Sequence, residues 1–153
     1  MKICFVCEYF PSSEKGEITG GVESRCFNIA KRLARDDSVT VITSWRQGLQ
    51  REEKIAKIRV IRVGKDHKYT SQGEGAFLSR LSFASCAYKE LKKHDFDIVD
   101  GYNFISYVPA YFGAKNAKKV ATYHEVWLGE WIKNKGIITG MFGSIWERFT
   151  LRL

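Results

Sequence analysis

"GGVESRCFNIAKRLARDDSVTVIT", residues 20–43, changes its period once, and that change sets the fold. From Val22 the apolar residues Cys26, Ile29, Ala30 and Leu33 recur at helical spacing, while Arg25, Lys31, Arg32 and Arg35 fall mostly elsewhere. The stretch then passes into "SVTVIT" (38–43), a β-branched run of strand length. Upstream, "KICFVC" (2–7) reads as another buried strand. The same alternation continues outward: "IRVIRV" (58–63), "FDIVDG" (96–101) and "KKVATYH" (118–124) are the third, fourth and fifth strands. Phe77, Leu81, Ala84, Tyr88 and Leu91 make a second helical stripe, and a short third helix starts after Tyr102 and runs towards Lys115, with Pro109 blurring its start.

Strands rich in β-branched residues, alternating with amphipathic helices, predict an α/β chain: a Rossmann-like, open, mostly parallel sheet with helices on both faces. In such sheets ligands bind at the carboxyl ends of the strands. The segments to search therefore follow Cys7, Thr43, Gly101 and Tyr123.

The chain has 153 residues, 44% of them hydrophobic and 14% aromatic, which suits one core of ordinary size. Lys and Arg number 25 against 17 Asp and Glu, a net charge of +8 that favours anionic partners: phosphorylated small molecules, acidic lipid surfaces or nucleic acid. The opening "MKICFVCEYF" is too short in its apolar run for a signal-peptide core, and no run reaches transmembrane length, so the expected location is cytoplasmic. There the four cysteines, Cys4, Cys7, Cys26 and Cys86, stay reduced. Cys4 and Cys7 have the spacing of a metal or redox pair. In a strand, though, residues three apart point to opposite faces, and no second Cys/His cluster completes a zinc site. They read as structural, and no metal site is expected.

"FPSSEKGEITGGVES" (10–24) is too long for a dinucleotide-binding turn, and "TGGVES" does not match G-x-G-x-x-G. It does end in Gly20 and Gly21 at a helix start. Backbone without a Cβ can approach a ligand there, helix N–H groups point outward, and the dipole favours a phosphate or a sugar hydroxyl's lone pair. A ligand-free helix start is the plainer alternative. His124 closes the fifth strand, where an imidazole in the crevice can exchange hydrogen bonds with a substrate hydroxyl or phosphate; a structural imidazole is the plainer alternative here too. The other histidines, His67 and His94, sit in basic loop contexts.

Three stretches, "CEYFPSSEKGEITGGVESRCFNIAKRLARDDSVTVIT", "FDIVDGYNFISYVPAYFGAK" and "KKVATYHEVW", together resemble the amino-terminal domain of GT-B fold glycosyltransferases. The resemblance is to the large retaining family with glycogen-synthase-like and phosphatidylinositol-mannosyltransferase-like members, the family 4 type. It implies that residues 1–153 form the acceptor-side, Rossmann-like domain of a longer enzyme. That enzyme would move a sugar from a nucleotide-sugar donor to a sugar, glycan or lipid-linked acceptor, with retention of configuration and without a metal or other cofactor. By the same resemblance Gly20 and Gly21 line the cleft near the donor's diphosphate and the acceptor, His124 contacts the transferred sugar, and Tyr102 and Asn103 belong to the acceptor side. The family's paired glutamates and its diphosphate-binding Arg/Lys belong to a carboxyl-terminal nucleotide-sugar domain, which this chain lacks. "FTLRL" breaks off within a helical pattern, so the chain reads as the front half of a longer protein, inactive alone.

In "GIITGMFGSIWERFTLRL" (136–153) Ile138, Phe142, Ile145, Trp146, Phe149 and Leu153 form an apolar stripe, downstream of Trp127, Trp131, Lys133 and Lys135. Aromatics beside lysines suit the inner face of a membrane or a lipid-linked acceptor, while packing on the sheet or on a further domain is the simpler reading. Two other function classes stay open: a non-catalytic sugar- or nucleotide-binding module, and a basic nucleic-acid-binding domain. The second is disfavoured by the absence of any common recognition motif.

Overall fold

The computed structural model describes residues 1–15, 18, 20–66 and 74–153, without the side chains of 74–77; His67 and the side chain of Phe77 lie outside the described residues. The elements in chain order are β1 (Lys2–Val6), α1 (Gly21–Leu33), β2 (Ser38–Ser44), β3 (Glu52–Ile55), β4 (Ile58–Val63), α2 (Glu74–Leu91), β5 (Ile98–Gly101), α3 (Tyr107–Gly113), β6 (Lys118–Ala121), α4 (Trp131–Lys135) and α5 (Ile137–Thr150). Two compact units divide the chain, Met1–Thr122 and Tyr123–Leu153.

The first unit holds a six-stranded sheet in the order β3-β4-β2-β1-β5-β6. All neighbouring strands are parallel except β3 and β4. Strand alternation sorts the core into two layers. Ile3, Phe5, Val39, Val41, Ile58 and Val60 meet Cys26, Phe27 and Ala30 of α1 on one face. Cys4, Val6, Ile42, Ile61 and Val99 meet Phe83, Ala87 and Leu91 of α2 and Ala110 of α3 on the other. This is the expected Rossmann-like, mostly parallel α/β sheet, covered on both faces.

Three local readings shift. The strand β3 reads poorly as a strand because "EEKI" carries three charges and one apolar residue. It forms by pairing with β4 across the two-residue turn Ala56-Lys57, with the ion pair Arg59–Glu52 at 2.6 Å on it. Both turn residues have positive φ, 49° and 70°, a backbone usually announced by Asn-Gly and here carried by neither. The core face of α2 is Phe83, Ala87 and Leu91, while Leu81 is exposed; a helix apolar nearly all round offers several stripes, and the sheet selects one. Gly64, with φ +84°, lets α2 approach so closely that a Cβ there would lie 3.1 Å from the Phe83 Cα. The last strand ends at Ala121 rather than His124, so Tyr123 and His124 fall in the second unit.

In that second unit α4 and α5 form a hairpin jointed at Gly136, φ +78°. Among the described residues no helix is long and apolar enough to cross a membrane. Cys4, Cys7 and Cys26 are buried and free, as structural residues would be.

Candidate functional site at the carboxyl edge of the sheet

From β1 the chain crosses to β2 on one side and later returns to β5 on the other, so the topological switch point lies between β1 and β5. A crevice opens at the carboxyl ends of strands that part in this way. The register sets Val6 opposite both Ile42 and Gly101, so Glu8, Ser44 and Asn103 leave the sheet at the same level.

Glu8 organises this edge. Its backbone carbonyl accepts hydrogen bonds from the Thr43 hydroxyl at 3.2 Å, the Ser44 N–H at 3.1 Å and the Ser44 hydroxyl. Its carboxylate is buried and accepts from Arg80 Nε at 2.8 Å and Asn103 Nδ2 at 3.1 Å. One side chain thus ties the exit of β1 to α2 and to the loop after β5. The Ser106 hydroxyl donates to the Asn103 amide oxygen, so both ends of that amide are held. Asn103, singled out from the sequence, is therefore a positioned polar group at the switch point. Tyr102, at 1% exposure, packs edge-on against Phe5, ring centroids 5.4 Å apart, in the α1 layer.

Glu8→Ala removes the acceptor of Arg80 Nε and Asn103 Nδ2. Arg80 is half-exposed and can turn to water, while the half-buried Asn103 amide loses its Glu8 partner. The expected cost is about 1–3 kcal/mol, read as a lower melting temperature. Glu8→Gln keeps an acceptor and should lose less; equal losses would refute the hydrogen-bond account.

The glycine pair stands where the crossover from β1 must place it, at the α1 N-terminus on the carboxyl edge. Gly20 is the N-cap in extended conformation, and its carbonyl accepts from the Ser24 N–H at 2.9 Å. Among the described residues no side chain caps the helix, and a Cβ on Gly21 would meet none of their atoms within 4 Å. Outward-facing N–H groups with open space before them form a ready place for an anion or a hydroxyl. The loop that leads there is anchored from below. Phe10 packs on Phe27 with centroids 5.6 Å apart, and the fully buried Arg62 donates to the Pro11 carbonyl at 3.4 Å and ion-pairs with Glu53.

Glu8, Arg62 and Arg80 were not legible as site residues. An acidic residue just after β1 was the only signal for Glu8, and the pairs Arg62–Glu53, Arg80–Glu8 and Asn103–Glu8 join residues 9, 72 and 95 positions apart.

Asp100, near the end of β5, is 8% exposed; its Oδ2 accepts from the Thr122 hydroxyl at 2.9 Å, while Oδ1 is buried without a hydrogen bond among the described residues. Burial pushes its carboxyl up to about 6, against the pull of the Thr122 hydrogen bonds and of Arg25. Because the folded pKa lies above the ordinary 3.8, the folded state holds this proton more tightly than the unfolded chain does. The stability from that proton is complete below about pH 4, falls as pH rises to about 6, and is absent above. Asp100→Asn should flatten the fall in melting temperature across that window, measured by circular dichroism. An unchanged slope would assign the fall to other groups.

His124 is half-buried and is the second residue of the second unit. There the Glu147 carboxylate accepts from the Trp127 N–H and from Trp131 Nε1, each at 2.8 Å. Among the described residues no group of three His, Cys, Asp or Glu is placed to hold a metal ion.

No curated protein matches the chain. Among solved structures, the fold matches sucrose-phosphate synthase from Thermosynechococcus elongatus with a TM-score of 0.70 at 14% identity, over 99% of this chain and 40% of that one. The chain thus spans about 40% of the length of that relative. A family model described as Glycosyltransferase Family 4 matches residues 19–153, from the threshold of the glycine pair to the last residue. On that match the chain belongs to glycosyltransferase family 4.

Proposed function

We propose that the complete protein transfers a sugar from a nucleotide-diphosphate donor to an acceptor with retention of configuration, without a metal, and that residues 1–153 are its acceptor-side domain. The family match carries this reading, and the uncapped, unobstructed α1 N-terminus at Gly20-Gly21 supports it. Breaking the donor's glycosidic bond builds positive charge on the sugar and negative charge on the departing diphosphate. Backbone N–H groups at a helix start, aimed at that diphosphate, lower the barrier by stabilising charge as it develops. In this proposal His124 supplies a polar contact to the transferred sugar. Asn103, fixed by Glu8 and Ser106, faces the acceptor, with Tyr102 packed as the floor beneath it. The protein's own carboxyl-terminal domain supplies the rest of the donor site. The acceptor is a sugar, a glycan or a lipid-linked sugar.

The test assays the complete protein against a panel of nucleotide-diphosphate hexoses for nucleotide release, with the anomeric configuration of the product read by NMR. Acceptor-dependent release with retention is expected. Inversion would overturn the stereochemical part. Weak sugar binding without turnover of any donor would favour the non-catalytic binding module instead.

A further inference from the structure

Arg80 is held at the carboxyl edge by contacts that need no ligand. It lies on α2, in the unit Met1–Thr122, and α2 is pinned on both sides of it. The Ser79 hydroxyl donates to the Asp66 carbonyl at 3.4 Å, and the Ser82 hydroxyl accepts from the Lys65 N–H at 3.1 Å. One residue further, the close approach at Gly64 sets the Phe83 backbone. The guanidinium itself is fixed by Glu8, whose carboxylate accepts from Nε at 2.8 Å. The Tyr9 hydroxyl is within hydrogen-bond reach of both groups.

The polarity of this web is one-sided. Glu8 is buried, and each of its carboxylate oxygens already holds a donor, Oε1 that of Arg80 and Oε2 that of Asn103. The Asn103 amide oxygen takes the Ser106 hydroxyl, so the acceptors of the web are engaged within it. Arg80 is different. A guanidinium has N–H donors on Nε and on both Nη atoms and no acceptor; Glu8 takes the one on Nε, and the side chain is 46% exposed. Burial pushes the Tyr9 hydroxyl above its ordinary pKa, so it too keeps its proton.

Donors without a reachable acceptor do not suit a neutral sugar hydroxyl, which has a proton of its own to place. They suit a group that only accepts. A guanidinium edge matches the paired oxygens of a carboxylate or phosphate with two parallel hydrogen bonds. Local charge agrees. Lys65 and Asp66 lie against α2 here, and Arg46 follows β2 at the same edge of the sheet. Asp66 is engaged by the Gln47 N–H at 2.8 Å, while among the described residues neither Arg46 nor Lys65 makes an ion pair. A half-exposed ion pair such as Arg80–Glu8 contributes little to stability. What it does here is hold a guanidinium in place, so that binding does not carry the cost of ordering it.

We propose that Arg80 selects the acceptor, its Nη edge binding a carboxylate or phosphate carried by the acceptor sugar. The inference rests on the glycosyl-transfer reading and narrows the acceptor to an anionic sugar.

Isothermal titration of the complete protein with glucose, galactose and mannose, each against its uronate and its 6-phosphate, tests it. At least one anionic form is expected to bind about tenfold or more tightly than its parent hexose, with the preference shrinking as salt is raised. Whether that form is the uronate or the phosphate names the group. Arg80→Gln should bring anionic and neutral forms to within about threefold of one another, while Arg80→Lys, which keeps the charge and loses the fork, should keep part of the preference. Circular dichroism should show both variants folded. A parent protein that binds no anionic form, or binds the neutral hexose equally well, would overturn the proposal. So would an Arg80→Gln variant that weakens neutral and anionic sugars alike, the mark of a structural role. Donor turnover is read separately, as nucleotide release. Release stimulated by neutral hexoses alone would overturn selection by Arg80 and leave sugar transfer standing. Anion preference without turnover of any donor would support Arg80 as the anion contact and overturn the transfer reading instead.

Discussion

His124→Ala in the complete enzyme is expected to lower kcat/KM for sugar transfer by about a hundredfold or more. A polar group that acts on charge developing in the transition state typically contributes about 3 kcal/mol, and removing it appears in kcat rather than in substrate affinity alone. Stability should respond far less. His124 lies beyond β6, outside the sheet unit, and none of the buried residues of the two sheet layers changes. The measurement is a pair: steady-state kinetics with the true donor and acceptor, and the melting temperature of the same preparation. Unchanged turnover would sink the catalytic assignment. Lost turnover together with a collapsed melting temperature would mark the imidazole as structural.

The second large effect is expected from Gly21→Val, which should reduce transfer by at least tenfold while leaving the fold intact. The structure sharpens the reason. Gly21 does not occupy the left-handed backbone region, so valine there carries no backbone strain, and among the described residues its Cβ would touch no atom within 4 Å. At the first position of α1, valine is a somewhat better helix former than glycine, and the melting temperature should hold or rise slightly. What the branched side chain would occupy is the open space in front of the helix N–H groups, where the donor's diphosphate is proposed to sit. Gly21→Ala, with a single methyl group, should fall between the parent and the valine variant. Full activity in the valine variant would reduce the glycine pair to a helix start without a ligand.

Much of the fold was written locally. Runs such as "KICFVC", "SVTVIT" and "IRVIRV" are buried on both faces and need apolar, β-branched residues at nearly every position, so composition alone marks them as central strands. The α1 stripe of Cys26 and Ala30 is equally legible, because a helix covering one face of a sheet must repeat with its own turn. The parallel topology followed from the alternation, and with it the prediction that ligands gather where Gly20, Gly21 and Asn103 lie.

Other features depend on partners far away in the chain, and those only the tertiary structure decided. The strand β3 exists because β4 offers it an edge to pair with, across a turn whose Ala56 and Lys57 carry no turn signature. The phase of α2 was chosen by the sheet and by the close approach at Gly64. Burial of Tyr102 and the web around Glu8 arise from contacts between elements 95 residues apart, which no local period records. The outward stripe of α5 is the clearest case. Its sequence reads as a core helix, yet two glycines and Glu147 fit it to α4 by the opposite face, because contact distance and hydrogen-bond satisfaction overrode apolar burial. Sequence determined which segments become helix or strand, since that follows from short-range period and side-chain shape. Tertiary structure decided which face each presents and which polar groups meet, since those depend on the surfaces brought against them.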